Sequence, residues 1–401
     1  MKVAITGAAG SLGRQLVPLL QKKGIDLVLV ERERSELAGY FADCESCDTS
    51  MMVDSARGCS TLLHLSDLNK TSEEPHKSSL QVDELLDMAG LAHQAGIKTI
   101  VNFSSVKALD GAIASVRTLA DARAESELEW PEGLIMLNVY LPHLHDPEHS
   151  ARHGFLGKFP IPFNRLILTA IASFRPTVSI ERIADFVECL DGASPSGAQK
   201  TIILSDGQSR NLVFTLVKRT LDLVFATAIA VFFWWLLFLI WALVRIESKG
   251  SGIFAQERVG KDGNPFVCYK FRTMKIGTAN LGTHEVSASS VTKLGAVLRK
   301  LKLDELPQII NIFRNDISLI GPRPCLPVQQ ELIEARRRLG VLALKPGISG
   351  LAQVNGIDMS DPEKLAQWDA RYVALQSLLL DLKIIIATAL GSGNGDRVSK
   401  Q

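Results

Sequence analysis

Two adjacent carboxylates, Asp304 and Glu305, stand just before a proline and carry the strongest chemical signal in the chain. Pro307 is tolerated in a helix only within the first turn, where its missing N–H is not needed, and an apolar run at helical spacing follows it. The spacing therefore predicts that Asp304 lies at or near the N-cap of a helix, a position that favours short acidic side chains. The N-terminal end of a helix presents free N–H groups and a positive dipole end, which attract phosphate. Carboxylates next to phosphate also suit Mg²⁺, and Asp304 is the predicted protein ligand.

Taken alone, residues 303–308 would indicate an ordinary helix cap. Basic side chains on separate segments favour an anion site instead. The four candidates are Lys270, Arg272, Arg299 and Arg323. Each of them taken singly is compatible with a solvated surface charge. If the fold brings them together, they would offset the negative charge of phosphates before a carboxylate approaches. The sequence therefore predicts a phosphate-binding site around the two acids.

Five short blocks, in a fixed order along the chain, carry a resemblance to a known family. They are residues 256–260, 269–274, 303–308, 321–324 and 345–356. From about Lys218 to Leu390 the chain resembles the bacterial sugar transferase family, the monotopic polyprenyl-phosphate phosphoglycosyl transferases. The resemblance implies a mostly α-helical, membrane-associated transferase domain over residues 209–401. The oligomeric state stays open, a homodimer included.

The resemblance also implies a two-step transfer at the carboxylate pair. Asp304 would attack the sugar-bearing phosphate of a UDP-sugar and release UMP, and a polyprenyl (undecaprenyl) phosphate would then take the phosphosugar. Glu305 would act as an acid/base or would organise Mg²⁺, and the four basic residues would bind substrate phosphates. Such a reaction is the first membrane step of bacterial surface-glycan assembly. It implies the bacterial inner membrane, with the soluble parts of the chain in the cytoplasm.

A glycine-rich turn between two apolar strands opens the chain and predicts a dinucleotide site. Residues 3–5 and 26–30 are typical of buried strands, and a helix is predicted after the turn. Glycines let the backbone approach a pyrophosphate at the helix N-terminus, and an acid at the end of the second strand can hold a ribose hydroxyl. Residues 1–208 are therefore predicted to form a Rossmann-like, doubly wound α/β domain. Its predicted cofactor-binding residues are Gly7, Gly10, Gly13 and Glu31.

This first domain resembles the extended short-chain dehydrogenase/reductase family of nucleotide-sugar epimerases and dehydratases, which implies NAD(P) as a ligand. In that family a tyrosine four residues before a lysine transfers the proton. Leu119 and Arg123 occupy the corresponding positions here, so the domain is predicted to be catalytically degenerate. It either binds a dinucleotide or nucleotide sugar, or is a scaffold with an empty site. The rival functions are an active epimerase or dehydratase, and a nucleotide-sugar-sensing domain that regulates the transferase.

Residues 223–244 carry no charge and are long enough to cross a bilayer. Membrane lipid is therefore a predicted partner, with a membrane helix at about 221–244. Because both domains would use cytosolic nucleotides, we predict a re-entrant helix that enters and leaves on the same face. The family bends this helix at a Ser-Pro pair, where this chain has Trp234 and Trp235. Without proline two alternatives remain, a helix held shallow in the interface by tryptophans or a true span.

The overall composition excludes some other classes of protein. Lys and Arg number 44 against 43 Asp and Glu, a net charge of +1 that argues against a nucleic-acid partner. The 6 cysteines are scattered along the chain, which suits a reducing compartment better than a disulfide framework.

An apolar stretch at 377–390 predicts a helix that lies at the membrane surface or packs against its own domain.

Overall fold

The computed structural model describes residues 1–31, 40–41, 43–65, 75–106, 131–145, 161–190, 199–248, 250–278 and 290–392. The chain divides into two compact units. The first contains residues 1–166 and 176–206, and the second contains residues 167–175 and 207–401. The division lies close to the predicted boundary at 208/209, but residues 167–175 belong with the second unit.

The first unit is built on a parallel sheet. Its strands are β1 (Lys2–Thr6), β2 (Asp26–Glu31), β3 (Glu45–Asp48), β4 (Thr61–Leu65), β5 (Thr99–Ser105), β6 (Ile135–Leu141), β7 (His143–His145), β8 (Thr177–Ser179) and β9 (Gln199–Ile203). Seven of these form one sheet in the order β3-β2-β1-β4-β5-β6-β9, and β7 pairs with β8. Val3, Ala4 and Ile5 are fully buried, as expected for a strand covered on both faces. This strand order confirms the predicted Rossmann-like fold.

The described part of the first unit contains five α-helices, one of which continues into the second unit. They are α1 (Ser11–Lys22), α2 (Met52–Ser55), α3 (Pro75–Gln94), α4 (Ile161–Phe174), whose last turns belong to the second unit, and α5 (Ile180–Cys189). Helix α1 buries Leu12, Leu16 and Leu20, which recur every four residues and therefore share one face. Because β1 and β2 are parallel neighbours, their carboxyl ends bring the glycine turn and Glu31 to the same edge of the sheet.

The second unit is mostly helical, as predicted. Its elements are α6 (Leu212–Phe232), α7 (Trp234–Glu247), β10 (Ile253–Val259), β11 (Pro265–Phe271), α8 (Lys293–Lys300), α9 (Ile309–Arg314), β12 (Ser318–Ile320), α10 (Gln330–Arg338), β13 (Gly347–Ser349), α11 (Leu351–Val354), α12 (Pro362–Leu375) and α13 (Leu378–Ala389). Strands β10 and β11 form an antiparallel hairpin, and β12 and β13 form a parallel pair. These two pairs carry the segments that surround the carboxylates.

The predicted membrane segment is broken rather than continuous. Helices α6 and α7 meet at Phe233 with an angle of 69° between them. No single helix in the described part of the chain is long and apolar enough to cross a membrane, whereas this bent pair passes that test of length and composition. The break lies directly before Trp234, so the bend forms without proline. The indole Nε1 of Trp235 donates to the carbonyl of Phe232 across the break at 3.1 Å.

Helix α13 has two different faces. Leu378, Asp381 and Ile384 are buried against the second unit, which confirms core packing for one face. Leu379, Leu382 and Ile386 are 40%, 52% and 50% exposed. The predicted membrane-surface role of this apolar second face stays a prediction.

Candidate active site

The two carboxylates lie in a tight turn that leads directly into a helix. Residues Leu303–Gln308 form a 3₁₀ turn that continues as α9. Lys302 takes the N-cap position with a φ of 57°, so Asp304 lies inside the first turn, close to the predicted N-cap rather than at it. The Asp304 side chain is buried. A buried carboxylate at the start of a helix is shielded from bulk water, which strengthens every charge interaction around it.

Glu305 lies between two cations. Its Oε1 accepts a hydrogen bond from Lys270 Nζ at 2.6 Å and lies 3.5 Å from Arg323 Nη1. The three side chains are 13% to 20% exposed, so the cluster is partly withdrawn from solvent. The fold therefore brings together three of the predicted site residues that are 18 to 53 positions apart in the sequence.

Strand β11 holds Lys270 in place through a buried asparagine. Asn311 in α9 accepts a hydrogen bond from Tyr269 N at 3.1 Å and donates to Val267 O at 2.6 Å. It is fully buried, so these bonds replace water that it would otherwise need. Asn311 therefore ties β11 to the helix that follows the Asp304–Glu305 turn. The sequence analysis missed this residue, although a lone polar side chain on the buried face of an isoleucine-rich helix was a usable signal.

The loop that carries Arg323 is fixed through its backbone. Three consecutive carbonyls accept hydrogen bonds: Pro322 O from Gly347 N at 2.9 Å, Arg323 O from Arg336 Nη1 at 2.8 Å, and Pro324 O from Arg258 Nη1 at 3.0 Å. Because all three carbonyls are engaged, the loop has little freedom to carry Arg323 away from Glu305. The block at 256–260 thus serves the site by supplying Arg258.

Close packing of glycines brings two segments of the site into contact. A Cβ on Gly347 would lie 2.1 Å from Gly321 N, and one on Gly350 would lie 2.3 Å from Gly321 O. Both overlaps are with backbone, which cannot move aside cheaply. The block at 345–356 is therefore structural here, since its glycines allow β13 to pack beside the Arg323 loop.

A buried ion pair supports the same loop from behind. Arg336 donates to Asp369 Oδ2 from Nε at 3.0 Å and from Nη2 at 2.7 Å, and each side chain is 3% exposed. Burial raises the pKa of the Asp369 carboxyl, and the neighbouring guanidinium opposes that shift. Neither residue was predicted from the sequence, because their significance depends on a contact between two helices.

The two remaining predicted arginines differ in their surroundings. Among the described residues, Arg299 has buried Nε and Nη1 atoms with no hydrogen-bond partner. Arg272 donates from Nε to Ser251 O at 2.8 Å and lies over the ring of Phe254 at 5.8 Å. A guanidinium stays protonated in proteins, so the unpaired N–H groups of Arg299 are available to a hydrogen-bond acceptor such as an anion. Phosphate-binding roles for both arginines stay predictions.

The residues present fit a metal ion that is shared with a substrate. Within the described residues, no three His, Cys, Asp or Glu side chains form a metal-binding group. Mg²⁺ commonly takes one or two carboxylates together with substrate phosphates and keeps several waters. Asp304 can supply one such carboxylate next to the place where phosphates would meet the cations.

The glycine turn of the first unit has the geometry of a dinucleotide site. Gly7 has a φ of 76°, and a Cβ on Gly13 would lie 2.3 Å from Ala8 O. The backbone N–H of Ala9 donates to Glu31 Oε1 at 3.0 Å, which places the acid at the mouth of the turn. Leu119 and Arg123, on which the predicted loss of epimerase chemistry rests, lie outside the described residues.

Comparison with known proteins finds a family match within each unit. Residues 213–393 match the family described as bacterial sugar transferase, and residues 3–120 match the NAD dependent epimerase/dehydratase family. An uncharacterized sugar transferase, EpsL of Bacillus subtilis, is 42% identical over 37% of this chain and 72% of that protein. The exopolysaccharide production protein ExoY of Rhizobium meliloti is 36% identical over 43% of this chain and 84% of that protein. The chain therefore belongs to the bacterial sugar transferase family and is an enzyme of that class.

A larger relative shares only the transferase-like part. The UDP-glucose:undecaprenyl-phosphate glucose-1-phosphate transferase of Escherichia coli is 36% identical over 43% of this chain and 39% of that protein. This chain thus covers less than half of the length of that relative.

Proposed function

We propose that this protein transfers a phosphosugar from a UDP-sugar to a polyprenyl (undecaprenyl) phosphate and releases UMP. The observation that carries the proposal is the cluster in which Lys270 and Arg323 hold Glu305 directly beside Asp304. Such a cluster suits a reaction whose substrates bring several phosphates to one carboxylate. The name of the Escherichia coli relative supports a UDP-sugar and undecaprenyl phosphate as substrates.

In the first step a carboxylate oxygen of Asp304 attacks the phosphorus that bears the sugar. The new bond joins Asp304 to that phosphorus, and the bond from phosphorus to the bridging oxygen breaks, so that UMP leaves with the bridging oxygen. Arg299, Lys270 and Arg323 offset the charge of the diphosphate during this approach. When bound, Mg²⁺ supplies further charge neutralisation between Asp304 and the phosphates.

In the second step a phosphate oxygen of the lipid attacks the same phosphorus. The bond to Asp304 breaks, which regenerates the carboxylate and yields a polyprenyl diphosphosugar. No oxidant, reductant or net proton is required. Glu305, held by its two cations, keeps these positive groups next to Asp304 through both steps and serves as the acid/base or Mg²⁺-organising partner.

The test measures UMP release from a panel of UDP-sugars with detergent-solubilised polyprenyl phosphate and Mg²⁺. Wild type is compared with Asp304→Asn and with Asp262→Asn, a matched control at an exposed residue with a φ of 57° that asparagine tolerates. We expect lipid-dependent release that falls by a factor on the order of 10³ or more in Asp304→Asn, because the nucleophile is lost, and that is unchanged in the control. Release that persists in Asp304→Asn would exclude the covalent step, and no release with any sugar would exclude the proposed donor.

For the first unit we propose dinucleotide binding, because Glu31 is already placed at the glycine turn by its bond to Ala9. An acid at this point favours a free ribose hydroxyl over a phosphorylated one, so NAD is preferred to NADP. Titration of the full chain with NAD and NADP, in wild type and Glu31→Lys, tests this. Weaker NAD binding in the variant supports the site, and equal binding in both proteins contradicts it.

We further propose that the protein lies at the bacterial inner membrane with both units in the cytoplasm. Support comes from the apolar pair α6–α7, whose bend would let the chain enter and leave on one face. Fractionation followed by carbonate extraction tests the membrane association. Complete release into the soluble fraction would overturn it.

A further inference from the structure

Helix α6 carries charges that bind protein rather than solvent. Asp222 is 5% exposed, and its Oδ1 accepts from Ser318 Oγ at 3.0 Å and from Leu319 N at 2.8 Å. One turn earlier, Lys218 Nζ donates to Ile320 O at 3.0 Å. The sequence analysis assigned neither Lys218 nor Asp222 a role in the site. In the structure, α6 holds every residue of β12.

Helix α6 also bonds to α9, the helix that follows the Asp304–Glu305 turn. Arg219 donates from Nη1 to Ile312 O at 2.8 Å and from Nη2 to Phe313 O at 3.4 Å, at the C-terminal end of α9. That end carries the negative pole of the helix dipole and is a favourable place for a guanidinium. Helix α9 begins at the catalytic turn, whereas β12 leads straight into the Arg323 loop. Helix α6 therefore bonds to both elements that must meet at Glu305.

Lys218 is anchored on its far side as well. Its Nζ donates to Asp381 Oδ2 at 2.5 Å, and Tyr372 donates to Asp381 Oδ1 at 2.7 Å. These partners lie on α13 and α12, so Lys218 cannot shift along β12 without breaking a buried ion pair. Because its amino group bonds to β12 and to α13, Lys218 is suited to fix the distance between these two elements.

We propose that Lys218 and Asp222 are positioning residues for the phosphate site, which hold the Arg323 loop at the correct distance from the Asp304–Glu305 turn. The first part of the membrane helix is then a component of the active site and not only an anchor. This inference rests on the proposed transfer from a UDP-sugar. It predicts that loosening β12 weakens UDP-sugar binding through Arg323.

The test is a double-mutant cycle on the KM for the UDP-sugar, with Asp222→Leu and Arg323→Met. Asp222→Leu removes both acceptor bonds at similar size, whereas Asp222→Asn keeps an acceptor oxygen and should restore binding. Thr220→Ala is the matched control, since Thr220 is exposed and bonds only to Leu216 O within its own helix. We expect KM to rise about tenfold in Asp222→Leu and to change little in the control.

The decisive outcome is the double variant. If Asp222 acts through Arg323, Asp222→Leu adds almost nothing to KM once Arg323 is replaced. Effects that multiply would show a merely structural role and overturn the proposal. If Asp222→Leu fails to fold, Ser318→Ala removes one of the two bonds and is put through the same cycle. A wild type without UMP release refutes the proposed function instead, so the two failures are distinguishable.

The break between α6 and α7 carries a second, independent inference. The last carbonyls of a helix lack intrahelical partners, and an unpaired carbonyl is costly in lipid. Phe232 O receives the indole Nε1 of Trp235 at 3.1 Å. We infer that this hydrogen bond stabilises the bend, because Trp235 pairs the carbonyl of Phe232 at the break. Proline produces a bend in another way, since it lacks the N–H that would continue the helical hydrogen bonds.

Trp235→Phe removes the N–H and keeps the aromatic ring, and Trp234→Phe is the matched control. The exposed Cys189 reports topology by labelling with a membrane-impermeant maleimide in spheroplasts and in inverted vesicles. We expect wild type and the control to be labelled only in inverted vesicles, and Trp235→Phe to be labelled in part from outside. Replacing residues 234 and 235 by Ser and Pro should restore the wild-type pattern. Identical labelling of Trp235→Phe and wild type would overturn the inference.

Discussion

Both units build their site on glycines that allow two backbone segments to touch. In the first unit a Cβ on Gly13 would lie 2.3 Å from Ala8 O, and in the second a Cβ on Gly347 would lie 2.1 Å from Gly321 N. The contact serves different ends. In the first it opens backbone N–H groups beside one acid, Glu31, whereas in the second it places the Arg323 loop against a carboxylate pair.

The difference shows how one construction supports two kinds of chemistry. Backbone N–H groups can hold a diphosphate that stays intact, because they offer partial charges at fixed positions. Moving a phosphoryl group requires full charges that offset those of donor and acceptor. The second unit supplies them in Lys270 and Arg323 around Glu305. We therefore expect the first site to bind and the second to react.

Of the changes to the two glycine contacts, the larger effect is expected from closing the contact of the second unit. In Gly347→Ala the new methyl group overlaps backbone atoms of Gly321, so β13 and the Arg323 loop must separate. We expect a loss of about 3 kcal/mol in the free energy of unfolding and a fall in UMP release on the order of 100-fold. Thermal unfolding and initial rates measure the two. Gly340→Ala is not a suitable control because Gly340 has a φ of 72°; Ala343→Gly, at an exposed residue, is preferable. Activity near that of wild type would show that the loop does not depend on this contact.

A smaller effect is expected from replacing Arg299, and here the free energy of unfolding should rise rather than fall. Its Nε and Nη1 are buried without a hydrogen-bond partner in the described part of the chain. Arg299→Met should therefore raise the free energy of unfolding of the ligand-free protein by about 1 kcal/mol, while KM for the UDP-sugar rises about tenfold or more.

Arg336→Met provides the contrast to Arg299→Met. It leaves Asp369 buried without its ion-pair partner, so we expect a loss of about 3–5 kcal/mol. Differential scanning calorimetry of both variants measures these opposite changes in the free energy of unfolding. A destabilised Arg299→Met protein would mean that its guanidinium serves the fold and does not wait for a phosphate.

The smallest effect on the transferase is expected from the matching change in the first unit. Gly13→Ala pushes α1 away from the glycine turn, so NAD binding should be lost while UMP release stays within about twofold of wild type. Isothermal titration and the UMP assay measure the two in the same preparation. A large fall in UMP release would favour the regulatory alternative, in which the first unit controls the second.

The sequence analysis predicted those parts of the fold and site that depend on residues close together in the chain. The glycine turn, the acid at the end of β2, and the Asp304–Glu305–Pro307 turn depend on local conformational preferences, so their residue types and spacing were sufficient. The bend between α6 and α7 was harder. Its usual marker, proline, is absent from positions 234 and 235, and the bond from Trp235 to Phe232 has no established pattern in sequence.

The sequence by itself determined a Rossmann-like domain, an apolar segment and a carboxylate pair preceded and followed by basic residues. Only the tertiary structure decided which cations reach Glu305: Lys270 and Arg323 do so, whereas Arg272 bonds to Ser251. It also decided that Lys218 bonds to a carbonyl 102 positions away. The physical reason is that side-chain direction follows from local structure, but the partner that a side chain meets depends on how distant elements pack.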